Sequence, residues 1–146
     1  MSLVSNKKAR FDFEIRDTME AGISLLGTEV KSIRNKQGKL EGAHVIIRGG
    51  EAFLVGASIP PYQQKNIGPE YDPERPRKLL LSKKQLNELY THSEQQGLTV
   101  VPISLYNSGR NIKLEIGLAR GKKKVDKRET IKKRDVEREL RRSFKS

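Results

Sequence analysis

The sequence predicts a mainly β fold: an antiparallel barrel closed by about six strands, interrupted by two short helices and followed by a basic C-terminal tail. Three observations predict it. Apolar and polar residues alternate with period two in several short runs, and glycine and proline punctuate those runs. Charge is concentrated at one end of the chain.

Taken in order, Phe11, Phe13 and Ile15 alternate with Asp12, Glu14 and Arg16, the pattern of a half-buried strand. Residues 23–26 follow Gly22 as a second strand or its continuation. Gly27 and Thr28 then open a short helix in which Val30 and Ile33 share an inward face and Lys31 and Arg34 an outward one, each pair three residues apart. Residues 45–48 and 51–56 flank Gly49-Gly50, a hairpin signal because both glycines tolerate positive φ. Pro60 and Pro61 stop strand pairing, and the polar stretch 63–76, with Gly68, Pro69, Pro73 and Pro76, reads as a long exposed loop.

Leu79, Leu80 and Leu81 form a short buried strand leading into a helix. Ser82 and Gln85 supply its capping box, Leu86, Leu89 and Tyr90 its apolar stripe, and Gly97 its terminator. Residues 99–106 and 112–119 are the two clearest strands, joined by a glycine-containing loop at 107–111. Short antiparallel strands with two interrupting helices favour a small closed barrel, with the OB type as leading candidate. The barrel is expected at residues 1–119 and the tail at 120–146.

Thirty Lys and Arg against eighteen Asp and Glu give a formal charge of +12. Residues 120–146 contain thirteen basic and five acidic side chains, net +8, which leaves +4 on the first 119. A mildly basic body with a strongly basic extension is an electrostatic match for a polyanion. In the tail, Val136, Leu140 and Phe144 repeat every four residues, and Glu129 with Lys133 and Glu137 with Arg141 are favourably oriented helix pairs. Arg134, Arg138 and Arg142 repeat like charge along one row, and an isolated helix of this size is marginal in water. The tail is therefore expected to be disordered when free and helical on an anionic partner.

Several classes are disfavoured. With no cysteine there are no disulfides, thiolate chemistry or cysteine-containing zinc sites, and a reducing cytoplasm fits. The first ten residues are basic and polar, so no signal peptide is expected, and no apolar run reaches membrane-spanning length. His44 and His92 lie in no nucleophile or metal motif, and Gly121-Lys122-Lys123 lacks the rest of a phosphate loop. No enzyme activity, metal or cofactor is expected, and the chain is expected to be a monomer.

RNA requires cations for phosphates and planar groups for bases. Candidate cations are Lys7, Lys8 and Arg10 before the first strand, Lys31 and Arg34 on the short helix, and Arg75, Arg77 and Lys78 at the end of the long loop. A barrel that gathered them would carry one basic face. Tyr62 and Tyr71 can stack on bases or pack under the loop. Glu29 either complements the helix N-terminus or orients a cation. A structural ribosomal or assembly protein and a general single-strand-binding module remain alternatives, although aromatic content is low for the latter.

The blocks Asn6-Lys7-Lys8-Ala9-Arg10, Glu20-Ala21-Gly22-Ile23, Gly27-Thr28-Glu29-Val30-Lys31-Ser32-Ile33-Arg34, Arg77-Lys78-Leu79-Leu80-Leu81 and Gly121-Lys122-Lys123 followed by Asp126-Lys127-Arg128 occur here in sequence. Their order and spacing resemble the small protein B family over nearly the whole chain. The resemblance implies an OB-type barrel that binds the tRNA-like part of tmRNA. It also implies a tail that enters the empty mRNA channel of a stalled ribosome, with small-subunit rRNA as second partner. By position, Asn6, Lys7, Glu29, Lys31, Ser32, Arg34, Arg77 and Lys78 fall in RNA-facing motifs. Gly121, Lys122 and Lys123 match the linker, and Asp126, Lys127 and Arg128 the segment near the decoding centre. Where the family often carries a His or aromatic residue suited to stacking, this chain has Val125.

Overall fold

The computed structural model describes residues 2–62, 70–95 and 97–121. Seven strands and three helices follow in the order β1 (Ser2–Ser5), α1 (Lys7–Asp12), β2 (Phe13–Ile23), α2 (Gly27–Arg34), β3 (His44–Arg48), β4 (Glu51–Val55), β5 (Arg77–Leu80), α3 (Lys83–Gln95), β6 (Thr99–Ser108) and β7 (Asn111–Gly121). All pairings are antiparallel, and the strands form one sheet in the order β1-β6-β7-β2-β5-β4-β3.

The expected closed barrel is not observed: the sheet curls without closing. The curl brings β3 close to β6, yet no ladder joins them. β1, a strand absent from the sequence-based expectation, pairs with β6 at Ser5↔Ser104 and Val4↔Leu105 and takes that end of its outer edge, while α1 lies at the seam beside Thr99 and Val101. Further along β6, Pro102 brings no amide hydrogen, and the ladder to β7 shifts register between Pro102 and Ser104, the setting in which a strand tolerates proline. The seam holds a cavity of about 370 Å³ lined by α1, Ala43, His44, Thr99 and Val101.

Local chemistry accounts for most elements. Gly49 and Gly50 take φ of 60° and 76° and close the β3–β4 hairpin as a two-residue loop, as that glycine pair requires. Ser82 and Gln85 form the reciprocal capping box of α3, with the Gln85 amide donating to Ser82 Oγ at 3.2 Å and the Ser82 amide to Gln85 Oε1 at 3.0 Å. Ser108 pairs directly with Asn111, so the last hairpin turns on Gly109 and Arg110 alone. The core is built from alternate strand residues, among them Leu54, Leu105, Leu114 and Ile116, closed by Ile33 of α2 and Leu89 of α3.

Two local readings change. Residues 7–12 form a helix that takes in Phe11 and Asp12, the expected start of a strand, because Asn6 caps it: its Oδ1 accepts from the Ala9 amide at 3.2 Å, and its Nδ2 donates to the carbonyls of Leu40 and Pro102. The run Leu79–Leu81 is not uniformly buried. Strand alternation places Leu79 inside and leaves Leu80 56% exposed.

Candidate nucleic-acid interface

Helix α2 is the anchor of the site. The amide of Leu26 donates to Glu29 Oε1 at 2.8 Å, so Glu29 satisfies the helix start from which it projects. The side chain is fully buried, which alone would be costly for a carboxylate. Two guanidiniums and a phenol compensate. Arg77 donates to Oε2 through Nε at 3.0 Å and Nη2 at 2.6 Å. Arg75 donates through Nε to Oε2 at 3.1 Å and through Nη2 to Oε1, a bidentate grip. Tyr71 Oη adds a bond to Oε2 at 3.0 Å and reaches the Ile59 carbonyl at 2.8 Å. Burial works to raise the Glu29 carboxyl, but the bonds from Arg75, the Leu26 amide and Arg77 outweigh it and hold the group below its ordinary value. Burial, with the neighbouring Glu29 charge, pushes the Tyr71 phenol up.

The cluster ties distant chain segments together. Arg77 also donates to the carbonyls of Ala57 at 3.0 Å and Pro73 at 2.8 Å, and Ser32 Oγ donates to the Pro60 carbonyl. The Tyr62 amide donates to Thr28 Oγ1 at 3.1 Å, while Lys31 Nζ lies 5.9 Å from the centre of the Tyr62 ring. Both ends of the long loop are thus fastened to one helix.

On the surface beside this anchor, Arg34 Nη2 donates to the Arg110 carbonyl at 2.8 Å. Arg110 lines a groove with Lys113, Leu25, Val30 and the outward Leu80, and Leu26 is a further exposed apolar residue. An apolar strip bordered by cations offers both phosphate attraction and a surface for unstacked bases. Further along the same face of β7, Glu115 lines a hollow with Lys7 and Arg10. Between the two lies an acidic interruption, where Glu20 pairs across the strands with Glu115 and accepts from Tyr106 Oη. Burial, followed by the two carboxylates, raises the Tyr106 phenol.

The anticipated residues therefore divide. Lys7, Lys8, Arg10, Lys31 and Arg34 are exposed, and Lys78 is half exposed and paired with Glu51 at 3.0 Å. Asn6, Glu29, Ser32 and Arg77 are buried and bonded within the protein, and Arg75 is intermediate with 30% of its side chain exposed. Tyr71 packs beneath the loop, and Tyr62 is exposed. Gly121 ends β7 opposite Phe13, whereas Lys122, Lys123, Asp126, Lys127 and Arg128 lie outside the described residues. Sequence reasoning passed over Leu80, Arg110, Lys113 and Tyr106. The signal for Leu80 was alternation within a three-leucine strand. The others meet only through strand register.

The chain is 52% identical over 140 residues to the SsrA-binding protein of Mesoplasma florum, covering 96% of this chain and 94% of that protein. It is 51% identical over 144 residues to the SsrA-binding protein of Enterococcus hirae, covering 99% and 93% respectively. A solved structure described as "tmRNA-SmpB: a journey to the center of the bacterial ribosome" superposes with a TM-score of 0.69 at 42% identity, covering 87% of this chain and 92% of that one. The family model for SmpB protein matches residues 3–146, and the chain belongs to that family.

Proposed function

We propose that this protein binds the tRNA-like part of tmRNA and delivers it to stalled ribosomes for trans-translation. The observation that carries the reading is the near-complete match to SsrA-binding proteins, on a fold that presents cations around an exposed apolar groove. The body, residues 1–119, grips the folded RNA through the groove and the flanking cations Lys31, Arg34, Arg110 and Lys113. Lys7, Lys8 and Arg10 extend the positive surface from α1. The tail, 120–146, serves the empty mRNA channel of the ribosome, with Gly121, Lys122 and Lys123 as linker and Asp126, Lys127 and Arg128 beside the decoding centre. The buried Asn6, Glu29, Ser32 and Arg77 serve the interface by shaping it. A side chain with no accessible polar edge cannot touch a phosphate, and each of these already spends its hydrogen bonds inside the protein.

The protein acts as a binding partner and not as an enzyme, and it works in the cytoplasm, where ribosomes and tmRNA meet. No described helix is long and apolar enough to cross a membrane. The test is a gel-shift comparison of tmRNA, ordinary tRNA and unstructured RNA over a range of salt, with Lys31→Ala beside the parent. A clear preference for tmRNA, weakened in the variant, is expected. Equal binding to all three RNAs at physiological ionic strength sinks the reading.

A further inference from the structure

Glu29 holds two arginines, and they are not equivalent. Arg77 is wholly enclosed, and its guanidinium is committed to Glu29 and to the carbonyls of Ala57 and Pro73. Arg75 is partly open to solvent. One edge of its guanidinium, Nε with one Nη2 hydrogen, faces the carboxylate. Nη1 makes only a long 3.4 Å contact to the carbonyl of the next residue, Pro76. A guanidinium carries five N–H donors in a planar fork. The fork formed by its two terminal nitrogens therefore remains available among the described residues, and the carboxylate has already set its plane. One buried negative charge against two guanidiniums leaves a net positive charge, which the enclosed Arg77 cannot display and Arg75 can.

Fixed orientation matters because a long side chain loses rotamer freedom when it binds, and an arginine already clamped has less to lose. Arg75 lies at the base of the long loop and is bonded through Glu29 to the helix that carries exposed Lys31 and Arg34. An RNA seated on that helix brings phosphates within reach of a planar, pre-oriented fork, the geometry that arginine recognises bidentately.

We infer that Arg75 is a phosphate-contacting residue of the RNA interface and that the enclosed Glu29 carboxylate is its positioning residue. This rests on the RNA-binding reading above and adds a division of roles within the cluster: Arg77 makes the carboxylate tolerable inside the protein, Glu29 aims Arg75, and Arg75 meets the RNA.

The experiment compares the full chain with Arg75→Ala, Arg75→Lys, Glu29→Gln and the double variant Arg75→Ala/Glu29→Gln. Affinity for transcribed tmRNA is measured between about 0.05 and 0.2 M salt, with urea unfolding to verify that each protein is folded. Removing one phosphate contact from a single-stranded or duplex site lowers the magnitude of the log–log salt slope by about 0.7–0.9, and so weakens binding roughly five- to eightfold at 0.1 M salt. Arg75→Ala shows that change, whereas Arg75→Lys keeps the slope and loses part of the affinity. Glu29→Gln weakens binding when Arg75 is present and adds nothing to Arg75→Ala. If Glu29→Gln does not fold, Glu29→Asp, which keeps the charge but shortens its reach, takes its place in the same cycle.

A folded Arg75→Ala protein with the parent's salt slope overturns the phosphate contact. Equal weakening by the Glu29 substitution in both backgrounds overturns the positioning role. A parent protein with no preference for tmRNA refutes the functional reading itself, an outcome distinct from either of these.

Discussion

A carboxylate with no solvent exposure survives here only because two guanidiniums, a phenol and a backbone amide converge on it. Such a pair is costly to break and cheap to replace as a unit. Arg77→Met alone strands Glu29 with partial compensation from Arg75, and a loss of about 3–5 kcal/mol in urea unfolding is expected. The double variant Glu29→Gln/Arg77→Met regains a large part of that loss, because no buried charge is then left uncompensated. The same carboxylate makes stability depend on pH. Its value is held below that of the unfolded chain, so its contribution is complete above the ordinary carboxylate range and is lost as pH falls through the folded value. Acid titration of the urea midpoint checks this: the parent declines on acidification, and the double variant declines less. Tyr106 has the opposite sign. Its raised phenol contributes stability below the ordinary tyrosine range and loses it as pH rises beyond that range.

Among the elements, turns and caps follow from short-range chemistry, and strand partners do not. Gly50 has φ of 76°, where a side chain costs about 1–2 kcal/mol. Gly50→Ala is expected to lower stability by that amount in urea. Ser82→Ala removes one half of the α3 capping box and should cost about 1 kcal/mol. Neither residue bonds to the Glu29 cluster, so tmRNA affinity should stay within about twofold of the parent in both variants. Gly22 differs from these because its constraint is tertiary. It pairs with Leu80, and a Cβ built there would lie 3.0 Å from that of Leu80. The glycine lets β5 approach β2 and sets the outward leucine over the groove.

At the scale of the molecule, an open sheet carries the proposed interface on one outer face and passes the chain onward at Gly121, opposite Phe13. If the body holds tmRNA and the segment beyond it serves the ribosome, the two activities separate on truncation. Deleting residues 125–146 should leave tmRNA affinity within a few fold of the parent and abolish peptide tagging in a reconstituted translation reaction. A large loss of tmRNA affinity would assign the tail to the first partner instead.

Alternation, glycine pairs and capping boxes operate over a few residues, so the two long C-terminal strands, the 49–50 hairpin, α2 and α3 were legible in the sequence, as were the exposed Lys31 and Arg34. The charge asymmetry likewise pointed to a mildly basic body with a basic extension, and the motif blocks carried the family resemblance. Closure was not legible, because it depends on long-range contacts along the outer edge of β6, where the four-residue β1 pairs at one end and α1 lies at the other. Nor could sequence separate the enclosed Arg77 from the half-open Arg75 two positions away: both are arginines in one polar stretch, and only the packing of that stretch against Glu29 decides which of them water, or RNA, can reach.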